Sequence, residues 1–312
     1  MKKIAFLFPG QGSQSVGMGQ EFYREYDVAR EIFDMAEEIT KINLSRLCFK
    51  GPMEDLTQTV YLQPAVTVVN MTCLAVLKKE GVKADMSAGH SLGEYSALCS
   101  AGILSVEDTV KIVLKRGELM HRESLKHKGA MNAVIGLTIE ELFEITADVG
   151  KDGIVSVANH NTEKQIVITG APEFVEKVSK TAGERGGKAI PLKVSGAWHS
   201  ELIKGAESEF TEFLSGFTFN EPVSPIVFNV SGNIAADPHE IRLIMEKQLC
   251  SPVKWFDSIL KLRDENTNIF VEVGPGKVLT GLTKKNLSKE YPYKSYSVNS
   301  MKTLEKFLKD GS

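Results

Sequence analysis

An α/β fold is what this sequence predicts: a mostly parallel sheet covered by helices, with a second, smaller domain inserted into it. Short apolar runs alternate with stretches of helical periodicity, the pattern of strands buried on both faces. One such run passes through a sharp glycine-flanked turn directly into a helix-compatible segment. The middle of the chain holds a complete alternation of a different kind, six elements that close on themselves.

Residues 3–8 read as the first buried strand, and helical periodicity follows at about 19–38, 65–80 and 106–125. Residues 82–88 read as a strand ending in Gly89-His90-Ser91-Leu92-Gly93, after which 94–101 resumes a helical pattern of small residues and leucine. Strands are then expected at 130–137, 154–159, 165–169 and 188–194, with helices at 139–149 and 172–185. That order is the ferredoxin-like pattern. It predicts a small domain over 128–195 inserted into a large domain made of 1–127 and 196–312, with the active site in the cleft between them. The large domain resumes with a helix from Ser200, a strand near 226–229, a helix over 239–249, a strand over 269–273 and a helix over 277–286.

The 312 residues, 42% hydrophobic and 25% charged, suffice for a large core, and a formal charge of -3 lacks the basic excess of a nucleic-acid binder. The four cysteines, Cys48, Cys73, Cys99 and Cys250, lie far apart with no spacing suited to zinc or a redox pair. They point to a reducing compartment. The apolar start is too short for a signal peptide and has no cleavage pattern, and the stretch 64–77, broken by Thr67, Asn70 and Thr72, falls short of the ~20 residues that span a bilayer. A cytoplasmic protein with no membrane segment is expected.

Gly89 to Gly93 fits G-x-S-x-G, in which flanking glycines let a strained turn lift a serine hydroxyl out of the sheet. A serine needs a base, most often histidine. Of six histidines, His90 adjoins Ser91 and leaves the turn in another direction, as a packed residue or a participant, while His121, His127, His160 and His239 sit in polar surroundings. His199 stands apart, in a glycine-containing loop (194–200) that re-enters the large domain before a helix. The Leu92 amide, at the start of a helix, would face a developing oxyanion. The glycine-rich loop at Gln11 contains no G-x-x-x-x-G-K-[ST] run and no clean G-x-G-x-x-G, so phosphate cradling is not expected.

Four stretches, Phe8-Pro-Gly-Gln-Gly-Ser-Gln14, Gly89-His-Ser-Leu-Gly-Glu94, Arg116-Gly117 and Glu272-Val-Gly-Pro-Gly-Lys-Val-Leu-Thr280, occur in order over about 2–285. Together they resemble the malonyl-CoA:acyl carrier protein transacylases and the related acyltransferase domains of polyketide synthases. The resemblance implies a hydrolase-like large domain with a ferredoxin-like insert, Ser91 as nucleophile and His199 as its base. It implies an oxyanion hole made by the amides of Gln11 and Leu92. Arg116 would hold a malonyl carboxylate by two parallel hydrogen bonds, Trp198 would crowd branched acyl groups, and Asn161 and Gln248 would line the substrate. A main-chain carbonyl or the Gln248 region would orient the histidine, with Asn229 nearby, in place of an acidic triad member. Malonyl-CoA and acyl carrier protein are the implied partners, with Lys126, Lys128, Lys284 and Lys285 candidates for a basic docking patch. No metal or redox cofactor is expected, and fatty acid synthesis is the implied setting, polyketide synthesis the alternative. A hydrolase and a non-catalytic carrier-protein binder are the rival readings.

Overall fold

The structure, a computed structural model, describes residues 2–311. Its nine strands form two sheets: β1 (Ile4–Phe8), β2 (Met86–Gly89), β3 (Ala130–Ile135), β4 (Val155–Thr162), β5 (Gln165–Gly170), β6 (Lys188–Pro191), β7 (Ile226–Val227), β8 (Ile269–Val273) and β9 (Lys294–Val298). The larger sheet runs β7-β2-β1-β8-β9, every neighbouring pair parallel. Its inner strands β1, β2 and β8 are buried almost throughout, which is why they read as unbroken apolar runs. The apolar start of the chain is its central strand.

The smaller sheet is antiparallel, in the order β4-β5-β3-β6. Its core is formed with the amphipathic helices Ile139–Val149 and Pro172–Glu184, through Val134, Leu142, Ile166 and Val178. Thr138 and Glu141 close a capping box at the first of these helices, fixing its start where the sequence indicates. The small sheet is fastened to the rest of the chain along β4. His160 N–H donates to the Val253 carbonyl (2.9 Å), Val253 N–H to the Ala158 carbonyl (2.8 Å), and Asn286 Nδ2 to the Asn161 carbonyl (2.9 Å).

Several expected elements shift. The helix read at 19–38 is two, Gln20–Glu25 and Asp27–Thr40, parted at Tyr26, whose extended backbone (φ -125°) caps the first and starts the second. The segment after Ser200 begins as a 3-10 turn, Glu201–Ala206, before the α-helix Glu207–Ser215. The stretch taken as 64–77 belongs to a helix of 21 residues, Thr59–Lys79. Length and hydropathy would let it cross a membrane, but 83% of its most apolar window is buried inside the protein. Burial, not length, accounts for its apolarity. The helices Leu44–Lys50, Met53–Thr57, Trp255–Asp264 and Met301–Asp310 and the strand β9 have no counterpart in the sequence reading.

β2 leads through the turn at Ser91 into the helix Gly93–Ser100, and glycine is a steric necessity there. A Cβ on Gly93 would lie 1.9 Å from the Phe8 carbonyl oxygen, and one on Gly89 2.0 Å from the Gly93 carbonyl carbon, both rigid backbone. Gly93→Ala is therefore expected to cost about 3 kcal/mol or more, at the top of the overpacking range. Gly281→Ala, at an exposed position of the helix Val278–Asn286 with nothing within 4 Å of the added carbon, should change stability by about +0.5 to +1 kcal/mol. Urea midpoints of the two variants decide it: equal midpoints would remove the steric account of the turn.

Candidate active site

Ser91 sits at φ +51°, in the left-handed region that a non-glycine residue occupies only when its surroundings hold it. Asn229 is the clamp. Its Oδ1 accepts from Ser91 N–H (2.7 Å) and its Nδ2 donates to the Gly89 carbonyl (2.6 Å), bridging the turn from behind. His199, also at positive φ (+60°), brings Nε2 to 2.8 Å from Ser91 Oγ. Its Nδ1 lies 3.2 Å from the Gln248 main-chain carbonyl, which can only accept. The proton therefore resides on Nδ1, leaving Nε2 free to take the Ser91 proton.

Burial holds the His199 imidazole down at about 3, and the neighbouring Arg116 cation and His90 push the same way. The resting base is thus neutral. In ¹⁵N-histidine NMR the His199 ring should not titrate between pH 8 and 5, whereas Arg116→Ala, by removing the cation, should move its midpoint upward. A midpoint near 6.5 in the native protein would contradict the burial argument.

Arg116 comes from the helix Val106–Lys126 and is only 1% exposed. Its NH1 donates to Gln63 Oε1 (2.9 Å), and its NH2 donates to Gln248 Oε1 (3.2 Å) and Ser91 Oγ (3.3 Å). The guanidinium lies over the Tyr95 ring at 5.5 Å, and its Nε has no partner among the described residues. No carboxylate forms an ion pair with it among those residues. Glu94, fully buried, lies behind, its carboxyl raised to about 7 by burial against hydrogen bonds from Asn229 and Gln248 and the Arg116 charge.

Ser91, His199 and Arg116 open into a cavity of about 260 Å³ between the two sheets, with Ala133, Asn159 and Val167 on the small-sheet side. Gln11 and Leu92 also line it, and among the described residues neither backbone amide donates to a protein acceptor. Trp198 packs its ring over Gly196 and forms part of the wall, 4% exposed. Asn161 lines the cavity too, with Oδ1 2.8 Å from His90 Nε2. His90 lines the cavity as well, edge-on to Trp255 and bonded to Asn161, and makes no hydrogen bond to the Ser91 hydroxyl among the described residues.

Two expected placements change. Asn229 bonds the serine turn and not the histidine, because its amide is occupied by Ser91 N–H and the Gly89 carbonyl. Gln248 keeps the expected contact with the histidine, through its main-chain carbonyl, but not the expected place on the substrate. Its side chain instead donates to the Ser91 carbonyl (2.8 Å) and Glu94 Oε2 (3.0 Å) and accepts from Arg116, so neither Gln248 nor Asn229 lines the cavity. Gln63, Glu94 and Tyr95 were missed. A glutamine inside the apolar run of Thr59–Lys79 and a glutamate among small residues are both the buried-polar signal that marks a site.

Lys126, Lys128, Lys284 and Lys285 are exposed. Lys126 pairs with Glu123, and Lys285 donates to Gln165 Oε1 (3.2 Å) on the cavity lining. Among the described residues no three His, Cys, Asp or Glu side chains are grouped to hold a metal ion.

The family model of the acyl transferase domain matches residues 5–307. A malonyl CoA-acyl carrier protein transacylase of Bacillus subtilis (strain 168) is 45% identical over 287 residues, covering 91% of this chain and 90% of that protein. The crystal structure of a malonyl CoA-acyl carrier protein transacylase from Clostridium perfringens superposes with a TM-score of 0.93 at 37% identity, covering 98% of this chain and 96% of that one. A malonyl-transacylase solved in complex with its type II polyketide synthase acyl-carrier protein gives a TM-score of 0.94 at 33% identity, over 99% and 100% of the two chains. With a strained serine, a neutral imidazole and a buried arginine in one cavity, and likeness of this extent, the chain belongs to the acyl transferase domain family, among the malonyl CoA-acyl carrier protein transacylases.

Proposed function

We propose that the chain transfers malonyl from malonyl-CoA to the phosphopantetheine thiol of acyl carrier protein through an ester on Ser91. One observation carries the choice of acyl group: a buried arginine that forms no ion pair with a carboxylate among the described residues donates to the nucleophile's own oxygen at 3.3 Å. A buried cation there, with no ion-pair partner in direct contact among the described residues, favours an acyl chain ending in an anion. The names of the relatives, and a solved relative bound to its acyl-carrier protein, support the donor and acceptor.

Ser91 Oγ attacks the thioester carbonyl as its proton passes to His199 Nε2. The oxyanion is met by the free amides of Gln11 and Leu92, each worth ~3 to 4 kcal/mol of barrier in sites of this kind. As the tetrahedral adduct collapses, the proton on Nε2 goes to the departing coenzyme A sulfur. The carrier thiol repeats the steps in reverse: its proton goes to His199, its sulfur to the malonyl carbonyl, and Ser91 leaves as the hydroxyl. Protons move only between oxygen, nitrogen and sulfur, so the exchange calls for no metal or redox cofactor. Asn161 and Trp198 bound the acyl group, Trp198 against branching. Gln248, by its carbonyl, orients His199.

The large domain is hydrolase-like, spanning 1–127 and 196–312, with a ferredoxin-like insert at 128–195. The β4-β5-β3-β6 order, with each of the two helices preceding its strand, supports the latter. Exposed Lys284 and Lys285, beside a lining glutamine, suit an acidic carrier protein. Four free cysteines suit the cytoplasm, and supply of malonyl units to fatty acid synthesis is the setting, with neither nucleic acid nor membrane as partner.

Intact-mass measurement tests this. Brief mixing with malonyl-CoA should give one malonyl adduct, and holo acyl carrier protein should then remove it and gain the malonyl mass. Loss of the adduct as free malonate at the same rate without carrier would make the protein a hydrolase, and absence of any adduct would make it a binder.

A further inference from the structure

Glu94 lies three residues beyond the nucleophile in the helix Gly93–Ser100, fully buried and outside the cavity lining. We propose that Glu94 is a positioning residue that sets the amide orientation of Gln248, and through it the aim of Arg116, making it a determinant of the preference for acyl groups ending in a carboxylate. This rests on the acyl-transfer reading above.

The donor and acceptor pattern leaves little freedom. Glu94 Oε1 accepts from Asn229 N–H (2.7 Å) and Oε2 from Gln248 Nε2 (3.0 Å), and an ionised carboxylate has nothing to donate. The Gln248 NH₂ group is drawn toward Glu94 and the Ser91 carbonyl (2.8 Å), so its Oε1 faces the opposite way. There it accepts from Arg116 NH2 (3.2 Å) and Tyr95 OH (3.4 Å). The reverse orientation would set an amide NH₂ against the guanidinium and an amide oxygen against the carboxylate, two repulsive contacts in a site closed to water. Gln63 Oε1 holds the other terminal nitrogen. The guanidinium is thus gripped by two amide oxygens over the Tyr95 ring, and one of those oxygens is aimed by Glu94. Through Asn229, whose Oδ1 accepts from Ser91 N–H, the same carboxylate also braces the serine turn.

Glu94→Gln preserves shape and removes the pattern. The introduced amide can accept from Asn229 N–H, but its NH₂ then meets the Gln248 NH₂, which must turn and take its oxygen away from Arg116. The test compares initial rates of Ser91 adduct formation from malonyl-CoA and acetyl-CoA at pH 8, where the Glu94 carboxyl, raised to about 7, is mainly ionised. The malonyl rate should fall about 10- to 100-fold and the malonyl-to-acetyl ratio by about tenfold or more, on the scale of one displaced bond to a charged group. Gln248→Met, of similar shape, should lower the ratio alike, and the double variant should lower it no further, because both changes cut one path. A merely structural glutamate would depress both substrates equally.

Native-like ratios in Glu94→Gln, or additive losses in the double variant, overturn the inference. If Glu94→Gln does not fold, an unchanged ratio in Gln248→Met overturns it and a lowered one supports it. A native protein that forms no malonyl adduct overturns the acyl-transfer reading and this inference with it, whereas a native adduct with an unmoved ratio overturns the inference alone.

Discussion

Ser91→Ala is expected to abolish covalent labelling by malonyl-CoA and to lower malonyl transfer to the carrier by about 10⁴- to 10⁶-fold, the usual scale for loss of a nucleophile that works with its base as one unit. The Ser91 hydroxyl lies in the cavity 2.8 Å from a neutral imidazole nitrogen whose other nitrogen is tied to a carbonyl. Alanine keeps the backbone bond from residue 91 to Asn229 and adds no atom, so the turn should persist and the circular dichroism spectrum should match the native one. Intact mass after mixing with malonyl-CoA reads the first expectation, and radiolabel transfer to holo carrier protein the second. A variant that still acquires the malonyl mass would put the ester on another residue and remove the serine mechanism.

The fold was legible where one physical signal dominates. Inner strands such as β1 and β8 are buried on both faces and are readable as apolar runs, and the helix expected at 139–149 is found at Ile139–Val149. The helix Trp255–Asp264 escaped because its buried positions, Trp255, Ser258, Ile259 and Leu262, include a serine that breaks the stripe. Met301–Asp310 does carry a clear apolar stripe, Met301, Leu304, Phe307 and Leu308 against the core, and was readable in the sequence although the expected elements ended at residue 286. At the site, the elbow pattern and the position of His199 in a re-entrant loop were readable from the residues, and Arg116 gained its meaning from the family resemblance. The Asn229 and Gln248 contacts were not readable. Each is made across more than a hundred residues, and which edge of an amide faces which partner depends on tertiary placement that local pattern does not encode.

Arg116→Ala is expected to invert the acyl preference. In the native protein a carboxylate entering beside Ser91 meets a guanidinium already stripped of water, so the desolvation of the cation has been met in folding and each charge-assisted bond counts for more than at a surface. Removal of the arginine leaves that carboxylate buried and uncompensated, a penalty of about 3 to 5 kcal/mol. The rate of Ser91 acylation from malonyl-CoA should then fall by about two to three and a half orders of magnitude, since every 1.4 kcal/mol is tenfold. Acetyl-CoA moves the other way. Its methyl end leaves the native guanidinium unpaired, and the variant no longer has that group to satisfy, so acetylation should equal or exceed the native rate. Arg116→Lys separates charge from shape: it keeps the cation but loses the planar fork that Gln63 and Gln248 hold, and should fall between the two while still preferring malonyl. Competition between the two thioesters for one serine, read as the ratio of adduct masses, measures all three proteins in a single experiment. A ratio in Arg116→Ala equal to the native one would mean that the malonyl carboxylate is bound elsewhere, and that the arginine serves only to hold Ser91 and Gln248 in place.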